Sequence, residues 1–148
     1  MSIIKKILNR SNSKSSDNFM YSREFQSLEK KWVESSNDVS AGWSMLYNLK
    51  KFDGTRSEKY EVLCRKNIEL FLSVRDQYIK NGQKVMPTIC EGYRRLAMLY
   101  EKRKDYISAC NICNDAISNG AVDELDKPKG MMVRYIRYAK KAGIELPE

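Results

Sequence analysis

Residues 88–120 read TICEGYRRLAMLYEKRKDYISACNICNDAISNG, and this stretch decides the fold. Tyr93, Leu96, Ala97 and Tyr100 recur at the three- and four-residue steps that place side chains on one face of an α-helix. Ala109, Cys113 and Ala116 continue the pattern with small side chains. Between the two runs Asp105 can accept from the backbone of a new first turn, and Asn119-Gly120 supplies a stop for the second helix. The stretch therefore predicts two antiparallel helices. Small Ala97, Ala109 and Ala116 let the axes approach closely, while Tyr93, Leu96 and Tyr100 fill the space beside them.

This order of large and small residues resembles the tetratricopeptide repeat, in which an aromatic, a leucine with a small neighbour and a second aromatic precede small residues on the following helix. The resemblance covers residues 88–120. It implies an all-α fold of antiparallel hairpins in a right-handed array, closed by a capping C-terminal helix, and a display surface rather than a reaction centre. One period upstream, Lys59, Lys66 and Arg75 stand where aromatic or small residues belong, so no in-phase repeat precedes the good one. Because about three units are needed to bury a continuous core, divergent N-terminal helices must supply the remaining packing.

Working outward, Phe25, Leu28 and Trp32 mark a short amphipathic helix over 21–35. Val39, Trp43, Leu46 and Tyr47 mark a second, from a cap at Asn37 or Asp38 to Phe52, with Asp53-Gly54 as its end. Thr55 and Glu58 have capping-box spacing and open the longest helix, which runs to about Lys80 with Tyr60, Cys64, Ile68, Phe71, Val74 and Tyr78 on one face. Thr88 and Glu91 repeat that signal after Pro87. The last helix is predicted from about Pro128 to Ala142, with Met132, Tyr135, Ile136 and Ala139 inward and Gly143 at its end. No alternating strand pattern occurs, so the domain over 21–148 reads as all-α.

Residues 1–20 differ, with Lys5, Lys6, Arg10 and Lys14 against Asp17 and a Ser/Asn-rich run, and they read as a disordered basic tail. Ile3, Ile4, Ile7 and Leu8 form a short apolar patch that can touch a membrane surface, and the basic, acid-poor composition also resembles a transit peptide. The full chain of 148 residues carries a net charge of +8, which favours acidic partners. It has no apolar run long enough to cross a bilayer. Four cysteines, Cys64, Cys90, Cys110 and Cys113, without a signal peptide read as reduced thiols of a cytoplasmic protein.

The chain has no histidine, which removes Ser-His-Asp and Cys-His nucleophile systems, and no glycine pattern of a phosphate-binding loop. Cys110-Asn-Ile-Cys113 has the spacing of zinc or disulfide-exchange pairs, but it lies within a helix, with no second close pair to complete four ligands; its placement favours packing. No catalytic residue, metal site or cofactor is expected.

Two faces remain as binding candidates. On the first helix of the hairpin, Glu91, Arg94, Arg95, Met98 and Lys102 point away from the packed side, and under the resemblance they line a concave groove for a peptide or helix of a partner protein. Met98 stands where clamps for C-terminal carboxylates usually carry an asparagine, which leaves general peptide binding. On the last helix Arg134, Arg137, Tyr138 and Lys141 form a basic face that suits an acidic protein, or in a different class of function nucleic acid or an anionic membrane. The leading expectation is a non-enzymatic interaction module, an adaptor or scaffold.

Overall fold

The computed structural model describes residues 18–146, so most of the expected tail lies outside the described residues. Residues 18–20, assigned to that tail by composition, belong to the packed part. Asn18–Tyr21 form a 3₁₀ turn, and Met20 is buried beside Phe25, Val74 and Tyr78. Five α-helices follow among the described residues: α1 Arg23–Leu49, α2 Thr55–Lys80, α3 Glu91–Lys102, α4 Tyr106–Ser118 and α5 Gly130–Ala142. The only β pairing among them consists of isolated bridges, Ile89 with Val122 and Glu124 with Lys127.

The first correction concerns α1, which is one helix of 27 residues where the sequence predicts two. Its buried side runs through Phe25, Ser35, Val39, Trp43 and Leu46 without a break. Asn37 and Asp38 are exposed inside the helix and cap nothing. The apparent gap is filled by Ser35 and Ser36, whose hydroxyls accept from Asn67 Nδ2 at 3.2 and 3.1 Å. A polar side chain can occupy a core stripe when its partner is buried with it.

Helix α2 buries the whole predicted face, Tyr60, Cys64, Ile68, Phe71, Val74 and Tyr78, and adds Ser57 and Asn67. Thr55 is its first residue rather than its cap. Gly54, at φ 86°, occupies the cap position, and Ser57 Oγ donates to the Phe52 carbonyl at 2.6 Å. The α1–α2 hairpin is tight where Gly42 faces Tyr60, since a Cβ at Gly42 would lie 2.7 Å from the tyrosine ring. Tyr60 OH donates to the Val39 carbonyl at 2.7 Å.

Helix α3 starts at Glu91, later than the Thr88 signal implies. Thr88 instead gives its carbonyl to Val122 N at 2.8 Å, tying the α2–α3 and α4–α5 connections together. The start of α3 is capped from another helix. Asn67 Oδ1 accepts from Gly92 N at 2.8 Å and from Cys90 Sγ at 3.5 Å. Gly92 permits this approach, because a Cβ there would meet the Cys64 carbonyl at 2.5 Å. One buried amide thus joins α1, α2 and α3 with all its hydrogen-bonding capacity used.

The hairpin of α3 and α4 has the predicted interior. Tyr93, Leu96, Ala97, Tyr100, Ala109, Cys113 and Ala116 are all buried, joined by Leu99, Cys110 and Ile112. Asp105 caps α4 through Ser108 N, and the turn after Asn119 is left-handed at Gly120. Leu99 is buried because α3 also packs against α1 and α2.

The second correction concerns the phase of α5. Met131, Tyr138 and Ala139 are buried, with Tyr135 partly buried, whereas Met132 and Ile136 are exposed. The helix is rotated so that Tyr138 stacks on Tyr106 and its hydroxyl donates to Glu101 Oε1 at 2.9 Å. A tyrosine whose ring packs and whose hydroxyl is satisfied outweighs two aliphatic side chains left in solvent.

Candidate interaction face

Helices α1, α3 and α5 run in the same direction, with α2 and α4 antiparallel between them. Contacts at both ends fix this arrangement. At the start of α3, Ser40 Oγ donates to Glu91 Oε2, 3.3 Å, and Arg94 reaches the connection that leads into α5. At its end, Lys102 lies over the Tyr47 and Phe52 rings at 5.5 and 5.6 Å, and Glu101 meets Arg137 at 3.4 Å.

The five outward residues of α3 share one side but not one environment. Glu91, Arg94 and Arg95 are held in an internal charge network. Arg95 Nε lies 3.2 Å from Glu91 Oε2, and its guanidinium sits 5.7 Å over Trp43. Arg94 Nη2 is 2.9 Å from Glu124 Oε1, while its Nε stands 3.6 Å from Asp123 Oδ1. Those last two atoms are buried without a hydrogen bond, so the pair is held by charge alone. Met98 and Lys102 are differently placed. Met98 is half-buried beside Arg95 Nη1, 3.6 Å from its sulfur, and Lys102 is exposed. With half-exposed Tyr47 they form the open part of this side.

The residues expected to form a basic face on α5 do not share an exposed surface. Tyr138 is fully buried and closed to base stacking. Arg134 has a side chain only 15% exposed, with Nε 3.2 Å from Asp123 Oδ2 and Nη1 3.3 Å from Tyr138 OH. Desolvation of the Arg134 guanidinium works against its charge, but Tyr138 and Asp123 outweigh that and hold it more firmly protonated. Arg137 is half-exposed and paired to Glu101; Lys141 is exposed over the Tyr106 ring at 5.2 Å. The acids that neutralise this helix, Asp123 and Glu101, come from elsewhere in the chain, a signal that the arginine spacing alone does not carry.

On the far side of α3, Tyr100 OH donates to Glu61 and accepts from Arg65 Nη2 at 2.6 Å, and Arg103 Nη1 pairs with Glu61 Oε2 at 3.1 Å. Burial pulls the Glu61 carboxyl upward, yet the hydrogen bonds from Tyr100 and Arg103 prevail and leave it below the usual carboxylate range. Burial and the hydrogen bond to Glu61 push the Tyr100 phenol up to about 12. Arg103 also donates to the Phe52 carbonyl and Ser57 Oγ, so this cluster clamps the α1–α2 turn to α3.

All four cysteines are buried free thiols, and burial raises Cys64, Cys90 and Cys113 to about 12. Thiols held this far above neutrality are poor nucleophiles. Among the described residues no group of three or more Cys, Asp or Glu is placed to hold a metal ion, and no helix is long and apolar enough to cross a membrane. Comparison with protein-family models, curated proteins and solved structures gave no match.

Proposed function

We propose that the chain is a non-enzymatic protein-interaction module of tetratricopeptide-like construction, holding a peptide or helix of a partner protein against the common side of α1, α3 and α5. The observation that carries this reading is the open strip of Tyr47, Met98 and Lys102, over which no described helix is laid. An aromatic ring, a thioether and a lysine offer apolar contact beside a positive charge, which suits a mixed apolar and acidic segment. The network of Glu91, Arg94 and Arg95 serves as a rigid floor beside that strip, so the energetic weight of binding falls on the open residues.

Tyr47→Ala with Lys102→Glu tests the proposal against a captured partner. Both side chains are exposed, so the melting temperature stays within a few degrees while affinity falls by about tenfold or more. Asn111→Glu with Asn114→Glu on the exposed face of α4 leaves affinity unchanged. The reverse outcome, loss only with the α4 pair, removes the strip from the function.

A further inference from the structure

At one end of the molecule the C-terminal turn of α3 lies within side-chain contact of the end of α1 and of α5. Lys102 covers Tyr47 and Phe52, Arg103 Nε donates to the Phe52 carbonyl at 2.6 Å, and Lys141 covers Tyr106. Taken together, the connections at this end carry surplus cations. Lys50, Lys51, Arg56 and Lys59 stand with Asp53 and Glu58 after α1; Lys102, Arg103 and Lys104 with Glu61, Glu101 and Asp105 after α3; Arg137, Lys140 and Lys141 precede Glu145 and Glu148 in the sequence at the end of α5. At the opposite end the connection before α5 shows no such surplus, with Asp123, Glu124 and Asp126 against Lys127 and Lys129, while the connection after α2 carries Lys80 and Lys84 with Asp76.

Exposed apolar side chains stand among these lysines: Leu49 at 48%, Ile107 at 61% and Ile144 at 39%. Two of the lysines also occupy backbone that favours glycine. Lys50 at φ 52° and Lys104 at φ 59° are the only non-glycine residues with positive φ among the described residues. A glycine would relieve that strain at both positions, yet each carries a charge. Strain of this kind persists where the side chain has a use.

We propose that this end docks on an anionic bilayer surface, with the lysines at the headgroups and Leu49, Ile107 and Ile144 at the boundary with the acyl chains. The charge type and its layout favour a bilayer over an acidic chain. Arg103 and Arg137 are committed to Glu61 and Glu101, so apart from Arg56 the cations left are lysines, point charges suited to a diffuse anionic field rather than forks for one carboxylate or phosphate. They are spread over three connections, as an extended partner requires, and apolar residues interleaved with them give the second contribution that surface binding needs. Lys102 is shared with the strip around Met98, but Lys50, Lys104, Leu49 and Ile144 lie outside it, so failure of this proposal and failure of that reading are distinguishable.

Sedimentation of the full chain with vesicles tests it, using phosphatidylcholine alone or with roughly one-third phosphatidylserine. The expected result is binding to the anionic vesicles only, weakening as salt rises. Lys50→Gly with Lys104→Gly lowers partitioning by about tenfold or more while the melting temperature holds or rises, because glycine relaxes both left-handed positions. Leu49→Ser with Ile144→Ser lowers it as well, and Lys31→Gln with Lys84→Gln, which removes the same charge elsewhere, leaves it within about twofold. Equal loss with the Lys31 and Lys84 pair, or no preference for phosphatidylserine, overturns the proposal. So does loss confined to Ile4→Ser with Leu8→Ser, or tighter capture of poly-glutamate or single-stranded RNA that the Lys50 and Lys104 pair abolishes.

Discussion

At the scale of single residues, Asn67 does most to define the packing. Its amide meets Ser35 and Ser36 of α1 and caps α3 at Gly92, so replacing it leaves several buried groups without partners. Asn67→Ala is expected to destabilise the fold by about 3 kcal/mol in urea unfolding; a change below about 0.5 kcal/mol would mean that solvent reaches those groups. Gly92→Ala is also expected to be harmful, since its Cβ would meet backbone rather than a movable side chain. The thiols give a pH signature. Cys64, Cys90 and Cys113 are held near 12 by burial against an ordinary value of 9.0. Unfolded thiols therefore lose protons first as pH rises, the unfolded state binds fewer protons, and stability declines upward from about pH 9. The urea midpoint should fall between about pH 9 and 11, and the native thiols should resist a disulfide reagent at pH near 8. Rapid labelling of the native protein would show them to be accessible.

At the scale of elements, α1 gives the sharpest test. Were Asn37 a cap, position 38 would be a first helical residue, where proline is well tolerated. In the continuous helix, Asp38→Pro removes an interior hydrogen bond and is expected to cost about 3 kcal/mol or more. A neutral effect would restore the two-helix reading. The hidden continuity has a physical reason: the partner of Ser35 is Asn67, 32 residues away, and local pattern sees only a polar cluster. The α2 stripe and the α3–α4 interior were legible because aliphatic and aromatic side chains repeat there at unbroken spacing. For α5 two apolar stripes compete, and the choice is made by Glu101 and Tyr106, which receive the Tyr138 hydroxyl and ring. The candidate site was legible to the same degree. Met98 and Lys102 lie on the expected side of α3, while the pairing of Arg94 and Arg134 depends on Asp123 and Glu124 in a connection that has no periodic signal.

At the scale of the whole molecule, the main core joins all five helices, with a smaller cluster of Met20, Phe25, Val74 and Tyr78 at the start of α1. The side shared by α1, α3 and α5 stays open at Tyr47, Met98 and Lys102, and the claim that this strip receives a partner protein is central. Site-specific photo-crosslinking in cells of the source organism tests it most directly. A photoreactive phenylalanine is placed at Tyr47 or Lys102, and in parallel at Asn111 or Asn114 on the exposed face of α4. The account expects a discrete crosslinked protein from the first two positions and none from the second two; crosslinks arising only from α4, or equally from both faces, would contradict it.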